Sequence, residues 1–253
     1  MVRLKSEKDL ESLRISGRIL AATLHALSKE VKVGVMLSDL DKKAKELILK
    51  EGATPTFLGY TPEGMTKAYA ASICASVNDT IVHGLPGKYI LKEGDIISLD
   101  LGVTYKGYVT DGAMTVGVGK ISEEARALLR VTEEALQNAI KECTPGKHLG
   151  DIGEVVEKTA QKGKFRVIQG LTGHGVGFAL HEDPSVFNYG RRGEGMKLVP
   201  GLVIAIEPMF SAGSPYAVHQ KKDDSFVTKD GSLSAHFEHT VAITEDGFEV
   251  LTA

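Results

Sequence analysis

The stretch Glu93-Gly94-Asp95-Ile96-Ile97-Ser98-Leu99-Asp100, EGDIISLD, has a counterpart at Pro200-Gly201-Leu202-Val203-Ile204-Ala205-Ile206-Glu207, PGLVIAIE. Each has a glycine, an apolar run suited to a strand, and a carboxylate six residues after the glycine. Strand side chains alternate between faces. Ile97, Leu99 and Leu101 therefore share one face, and Asp100 lies on the other with Ile96 and Ser98. In the second copy Ile204 and Ile206 oppose Val203, Ala205 and Glu207. Both strands are apolar on both faces apart from the acid, so each acid is expected to be at least partly buried.

The correspondence extends outward in both directions. Downstream, TDGAMTV (Thr110 to Val116) and FEHTVAI (Phe237 to Ile243) are again strands bearing an acid, Asp111 and Glu238. Upstream, VGVMLSDL (Val33 to Leu40) matches PGKHLGDI (Pro145 to Ile152), and each match opens a helix, expected over Leu40–Leu49 and Ile152–Gln161. Further back, Ser6-Glu7 and Ser122-Glu123 each precede a Leu-Arg pair at the same offsets, Leu13-Arg14 and Leu129-Arg130. Both serines have the character of N-caps, because a hydroxyl satisfies a free first-turn amide and the acids that follow suit the positive helix end. Leu10, Leu13, Gly17, Leu20 and Leu24 then recur at three- and four-residue steps, as one buried helical face requires.

Four matches in the same order point to one duplication of about half the chain. The expected fold is α+β: residues 1–253 form a single domain whose halves, about 1–120 and 121–253, each place two helices before antiparallel strands. The halves pack about a pseudo-twofold axis, with the helices flanking the sheet.

The bulk properties narrow the function classes. The net charge of −3 offers no broad basic face for DNA. Cys74 and Cys143 lack the spacing of a disulfide framework, which fits a reduced, cytoplasmic setting. No apolar run is long enough to span a membrane.

A buried carboxylate is costly to keep ionised unless paired, hydrogen-bonded or bound to metal. The twofold brings Asp100, Asp111, Glu207 and Glu238 together, and Arg and Lys are absent from all four strand segments. Divalent cations are the better candidate to offset the repulsion. Oxygen-rich sites with one imidazole suit two-metal hydrolytic centres. In GHGVGFALHEDP (Gly173 to Pro184) glycines let the backbone approach such a cluster, which makes His174 a candidate for that imidazole. His181 lies seven residues on, an odd offset, so the two histidines are expected to have different jobs, one as ligand and the other near substrate. His83, in SVNDTIVHGLPG, is a third candidate. His25, His148, His219, His236 and His239 are read as core or surface residues.

With SVNDTIVHGLP, LDLG, TDGAMT, GHGVGFALHEDP, IEPM and FEHT in this order, the chain resembles the type I methionine aminopeptidases of the pita-bread fold over nearly its whole length. Carried over by position, the resemblance implies that one metal is held by Asp111, His174, Glu207 and Glu238. It implies a second held by Asp100, Asp111 and Glu238, with Asp111 and Glu238 bridging. Water activated between the ions attacks the first peptide carbonyl, Glu207 serves as general base or proton shuttle, and His181 and His83 hydrogen-bond the scissile amide and the tetrahedral intermediate. The ions implied are cobalt, manganese, iron or zinc, with a monovalent cation on backbone oxygens near Asn78, Thr80 and Ser234. The methionine pocket falls on Phe57, Tyr60, Cys74 and Leu180.

Some positions depart from the family pattern. Phe57 stands where cysteine is frequent, and Leu180 where phenylalanine is. Phe226 is a candidate to replace a tryptophan that this chain lacks, and the loop from Tyr60 to Cys74 is read as lengthened. The expected partner is the N-terminal peptide of nascent proteins, handled by a monomer, and transient ribosome contact is compatible with that role. The rival readings are an Xaa-Pro peptidase of the same fold, separated by its pocket, and a non-catalytic pita-bread binding protein, which has no reason to retain five metal ligands.

Overall fold

The computed structural model describes residues 2–61 and 67–253. Along the chain come α1 (Glu7–Glu30), α2 (Leu37–Lys50), β1 (Thr54–Pro55), β2 (Cys74–Val77), β3 (Thr80–Val82), β4 (Ile96–Tyr105) and β5 (Tyr108–Gly117). Then come α3 (Glu123–Ile140), α4 (Leu149–Gly163), β6 (Arg166–Val167), β7 (Gly173–Gly175), β8 (Glu182–Val186), β9 (Val203–Ile206) and β10 (Met209–Ser211). The chain finishes with β11 (Ala217–Gln220), β12 (Ser225–Thr228), β13 (Ser234–His236), β14 (Glu238–Thr244) and β15 (Gly247–Val250).

Both long helices start where the serines place them. Ser6 accepts from the amide of Asp9, whose carboxylate reaches back to the Ser6 amide, and Ser122 accepts from the amide of Ala125. The second helix of each half starts three residues before the expected Leu40 and Ile152. Neither start carries a Ser, Thr, Asp or Asn cap: Met36 precedes α2, and His148 precedes α4. At α4 the Asp151 carboxylate takes the His148 amide instead, a cap that composition does not announce.

The principal sheet runs β1-β4-β5-β14-β9-β7-β8, with β2 paired to β4 and β15 to β14. The matched strands therefore occupy mirrored places: β4 and β5 on one side, β9 and β14 on the other, meeting where β5 pairs with β14. There Glu238 sits opposite Ala113 and His239 opposite Gly112. Gly112 and His239 are themselves the counterparts in TDGAMTV and FEHTVAI, so the twofold axis passes through this pair.

Alternation then sorts the side chains as the sequence reading requires. Ile97, Leu99 and Leu101 enter a core with Leu20, Leu24 and Leu27 of α1 and Leu40, Ala44 and Ile48 of α2. Ile204 and Ile206 enter the equivalent core with Leu128, Leu136, Ile152 and Val156 of α3 and α4. Burying a side chain of this size is worth about 1.5–3 kcal/mol, so these two layers hold the helices on one face of the sheet. The other face is left for the acids.

The N-terminal segment clasps the second half. Lys5 pairs with Glu182 at 2.7 Å, with side chains 1% and 8% exposed, and its amide donates to the Gly201 carbonyl. Arg3 lies over the Phe178 ring, 4.2 Å from its centroid. Glu182 also accepts the amides of Phe178 and Ala179, which fixes the turn between the two histidines of that stretch.

Candidate metal centre

The four acids gather on the open face of the sheet, and small neighbours make room for them. Across the strands Ala113 faces both Asp100 and Glu238, while Gly102 faces Asp111. His174 stands in β7 opposite Ala205 of β9. Glycine flanks it for a steric reason. A Cβ on Gly173 would meet the Ala205 carbonyl oxygen at 2.3 Å, and one on Gly175 the Asp183 carbonyl oxygen at 2.2 Å. Only bare backbone lets β7 press this close to its neighbours and carry the imidazole to the acids.

His174 Nε2 lies 3.5 Å from Glu207 Oε1 and 3.8 Å from Asp111 Oδ2. Its Nδ1 is 2.9 Å from its neighbour's carbonyl oxygen, that of Gly175, which only accepts, so the ring proton sits on Nδ1 and the Nε2 lone pair faces the carboxylates. Asp111, His174 and Glu238 each offer one donor atom within 4.8 Å of the other two.

The electrostatics are those of a site lacking positive charge. Burial, with the neighbouring acids adding to it, pushes Asp100, Glu207 and Glu238 well above the usual carboxylate range, and burial takes Asp111 to about 7. The same desolvation lowers His174 to about 3, which leaves its imidazole neutral. Among the described residues the ion-pair contacts of Asp111, Glu207 and Glu238 are with imidazoles, not with Lys or Arg. Asp100 Oδ1 and Glu238 Oε1 are buried without a hydrogen-bond partner. Orphaned, buried carboxyl oxygens beside a neutral nitrogen lone pair are a donor set for a divalent cation.

A cavity of about 920 Å³ opens beside the acids. Phe57, Tyr60, Cys74 and Leu180 line its apolar side. Tyr69, not anticipated, joins that wall: it stands edge-on to Phe57 at 6.4 Å and bonds the carbonyls of Ile73 and Gly84. It sits in the irregular run KAYAASI, where no periodicity marks a wall residue. The lengthened loop read between Tyr60 and Cys74 falls partly on residues 62–66, which lie outside the described residues.

His181 and His83 both line the cavity. The His181 ring meets that of His174 edge-on at 4.5 Å, and its Nδ1 is 2.7 Å from the Tyr60 hydroxyl. His83 follows β3 with φ +61, a left-handed conformation unusual for a residue other than glycine. Burial takes its imidazole down to about 4. Phe226 stands edge-on to His83 at 5.7 Å and backs that histidine. Asn78 and Ser234 are brought together by a bond from the Ser234 amide to the Asn78 carbonyl, and Thr80 lies nearby in β3 opposite Val227.

The remaining histidines divide. His25 is exposed, His148 sits at the N-cap position of α4, His219 pairs with Asp224, and His239 is half-buried with its Nδ1 against the Thr252 hydroxyl. His236 is different. It is 1% exposed, lines the cavity and turns Nε2 toward Glu207 and Glu238. The reading of it as an ordinary core or surface residue missed this, because His236 ends β13 and Glu238 begins β14, so no single-strand alternation relates them.

Residues 11–245 match metallopeptidase family M24. The chain belongs to that family. As an M24 metallopeptidase it uses divalent metal, and the donor set above is its only such cluster among the described residues. The chain is 44% identical over 252 residues to methionine aminopeptidase 1 of Bacillus subtilis, covering 100% of this chain and 99% of the relative. It is 45% identical to a methionine aminopeptidase of Clostridium perfringens, with the same coverage of each. The crystal structure of the Thermotoga maritima methionine aminopeptidase superposes with a TM-score of 0.95 at 41% identity, covering 100% of this chain and 99% of that one. A Pyrococcus furiosus prolidase shares the fold, with a TM-score of 0.78 at 23% identity over 99% of this chain and 65% of that one. The pita-bread fold that the resemblance implied is the fold found.

Proposed function

We propose that this chain is a dinuclear-metal aminopeptidase that hydrolyses the initiator methionine from the N-termini of nascent proteins and peptides. The observation that carries this reading is the pairing of an acid cluster drawn from both halves with an apolar cavity wall beside it. Asp111, His174, Glu207 and Glu238 hold one ion, and Asp100, Asp111 and Glu238 the other; cobalt, manganese, iron and zinc all suit such donors. When bound, the ions activate water and polarise the scissile carbonyl.

The chain's own residues do the rest. Glu207 takes and returns the proton. With the Tyr60 hydroxyl donating to Nδ1, the proton of neutral His181 sits on Nε2, where it serves a developing oxyanion. His83 binds the scissile amide. Phe57, Tyr60, Cys74 and Leu180 take the methionine side chain, and aromatic edges favour its sulfur. The free α-amine is drawn by the acids, which explains action at chain ends: an internal peptide has no such group. A monovalent cation binds backbone oxygens near Asn78, Thr80 and Ser234. The whole of 1–253 works as one catalytic domain, as a monomer in the cytoplasm; its two cysteines are free and buried, which suits a reduced compartment.

The test is a comparison of metal-loaded protein on Met-Ala-Ser and on an Xaa-Pro dipeptide. Release of methionine from the tripeptide with a far higher kcat/KM is expected. Preference for the prolyl substrate overturns the reading.

A further inference from the structure

Glu182 follows His181 in the chain and lines the same cavity, yet both its oxygens are already committed. Oε1 accepts the amides of Phe178 at 2.5 Å and Ala179 at 2.8 Å, and Oε2 takes the Lys5 ammonium at 2.7 Å. Among the described residues Lys5 is the only Lys or Arg that is buried. Its stem fills the space that a glycine leaves open, since a Cβ on Gly177 would meet Lys5 Cε at 2.5 Å. The Lys5 amide donates to the Gly201 carbonyl, at the head of the segment that leads into β9 and Glu207. Backbone and side chain together fix this lysine against the second half.

A buried pair of this kind adds little net stability, because desolvation offsets the attraction, but removing one partner strands the other. Without the ammonium, the Glu182 carboxylate would leave the two amides for the water and metal of the cavity it lines. The turn at 177–180 would shift with it. That turn is otherwise tied by the Val109 amide, which donates to the Gly177 carbonyl at 2.7 Å. His181 directly follows the turn, and its bond to the Tyr60 hydroxyl depends on where the turn ends.

We infer that Lys5 is a positioning residue for His181: its ammonium holds Glu182 on the amides of Phe178 and Ala179 and so keeps that carboxylate off the metal centre. This deepens the proposed function, and its kinetic consequence rests on that reading.

The test compares wild type, Lys5→Met and Lys5→Met/Glu182→Gln as metal-loaded full chains. Methionine keeps a long stem over Gly177, and glutamine keeps an oxygen for the two amides. Lys5→Met should lower kcat for methionine release from Met-Ala-Ser by about 10- to 100-fold, with KM and metal content unchanged. Hydrogen exchange at the Phe178 and Ala179 amides should quicken in the same variant. The double variant should recover most of both, because no charge is left stranded. A merely structural role would lower the melting temperature without that recovery. Wild-type kcat and exchange in Lys5→Met overturn the inference, as does a double variant as impaired as the single. If Lys5→Met folds poorly, the double variant decides, since protected amides and near-wild-type kcat are expected there and their loss overturns the inference. A wild type that releases no methionine, while the exchange rates keep the expected order, overturns the proposed function and leaves the anchor standing.

Discussion

Asp111 is the residue on which most depends. It lies beside the twofold axis, its amide donates to Thr240 Oγ1 of the other half, and its carboxylate faces His174. Asp111→Asn removes the charge but keeps the shape. It should abolish both metal retention after gel filtration and methionine release, lowering kcat/KM by about 10³-fold or more; near-normal turnover would reject the two-ion arrangement. His181→Ala should separate the roles of the two histidines. Its ring contacts His174 but reaches outward to Tyr60, so kcat should fall about 10²-fold with metal content unchanged. A parallel loss of metal would show that His181 is itself a ligand. At this scale the sequence was readable where a residue type was out of place. Acids in apolar strands declared themselves, whereas Tyr69 and His236 did not, because a tyrosine in a loop and a histidine beside a glutamate are unremarkable until a cavity reaches them.

At the scale of elements, β7 shows how a short strand does its work through absent atoms. Three residues carry His174 between two neighbours, and the flanking glycines are demanded by carbonyl oxygens at 2.2 and 2.3 Å from any added Cβ. Gly175→Ala must displace backbone, and overpacking of this kind costs about 1–3 kcal/mol. The variant should melt several degrees lower and lose metal affinity, read by thermal denaturation and calorimetry. Unchanged values would mean that β8 yields without moving His174. Element order was legible because the same punctuation occurs twice. The starts of α2 and α4 were not, since their caps use Met36 and a backbone-to-Asp151 bond instead of the short polar side chains that mark Ser6 and Ser122. The pairing of β7 with β9 was equally silent in the sequence: glycine spacing signals close approach but not what is approached.

For the whole molecule, the acid cluster links folding to pH and metal. Without metal, burial raises Asp111 to about 7 against an ordinary 3.8, and its three neighbours shift the same way. A group whose pKa is raised by folding stabilises fully below its unfolded value, and that contribution disappears as pH climbs through the folded value. Buried His83 and His174, lowered to about 4 and about 3, oppose this up to about pH 6.5, so metal-free protein should lose stability from there toward about pH 8, with Tm falling by roughly 5 °C or more. Saturating divalent ion should flatten or reverse the slope over the same window, because the cation replaces the protons. A melting curve indifferent to pH in the metal-free state would mean that the acids are not held in dry surroundings. This coupling was only half legible: the need for positive charge could be read from four acids without a lysine, but their convergence depended on strand order, which no single strand discloses.

That strand order, β4-β5-β14-β9, has an ancestral implication. One half supplies two of the acids, so a predecessor of half this length could have assembled all four only as a homodimer. Joining the copies in tandem turned a concentration-dependent encounter into a permanent one. It also freed the two copies to diverge, which is how a single histidine-bearing strand came to exist on one side of the seam and a cysteine-bearing strand on the other.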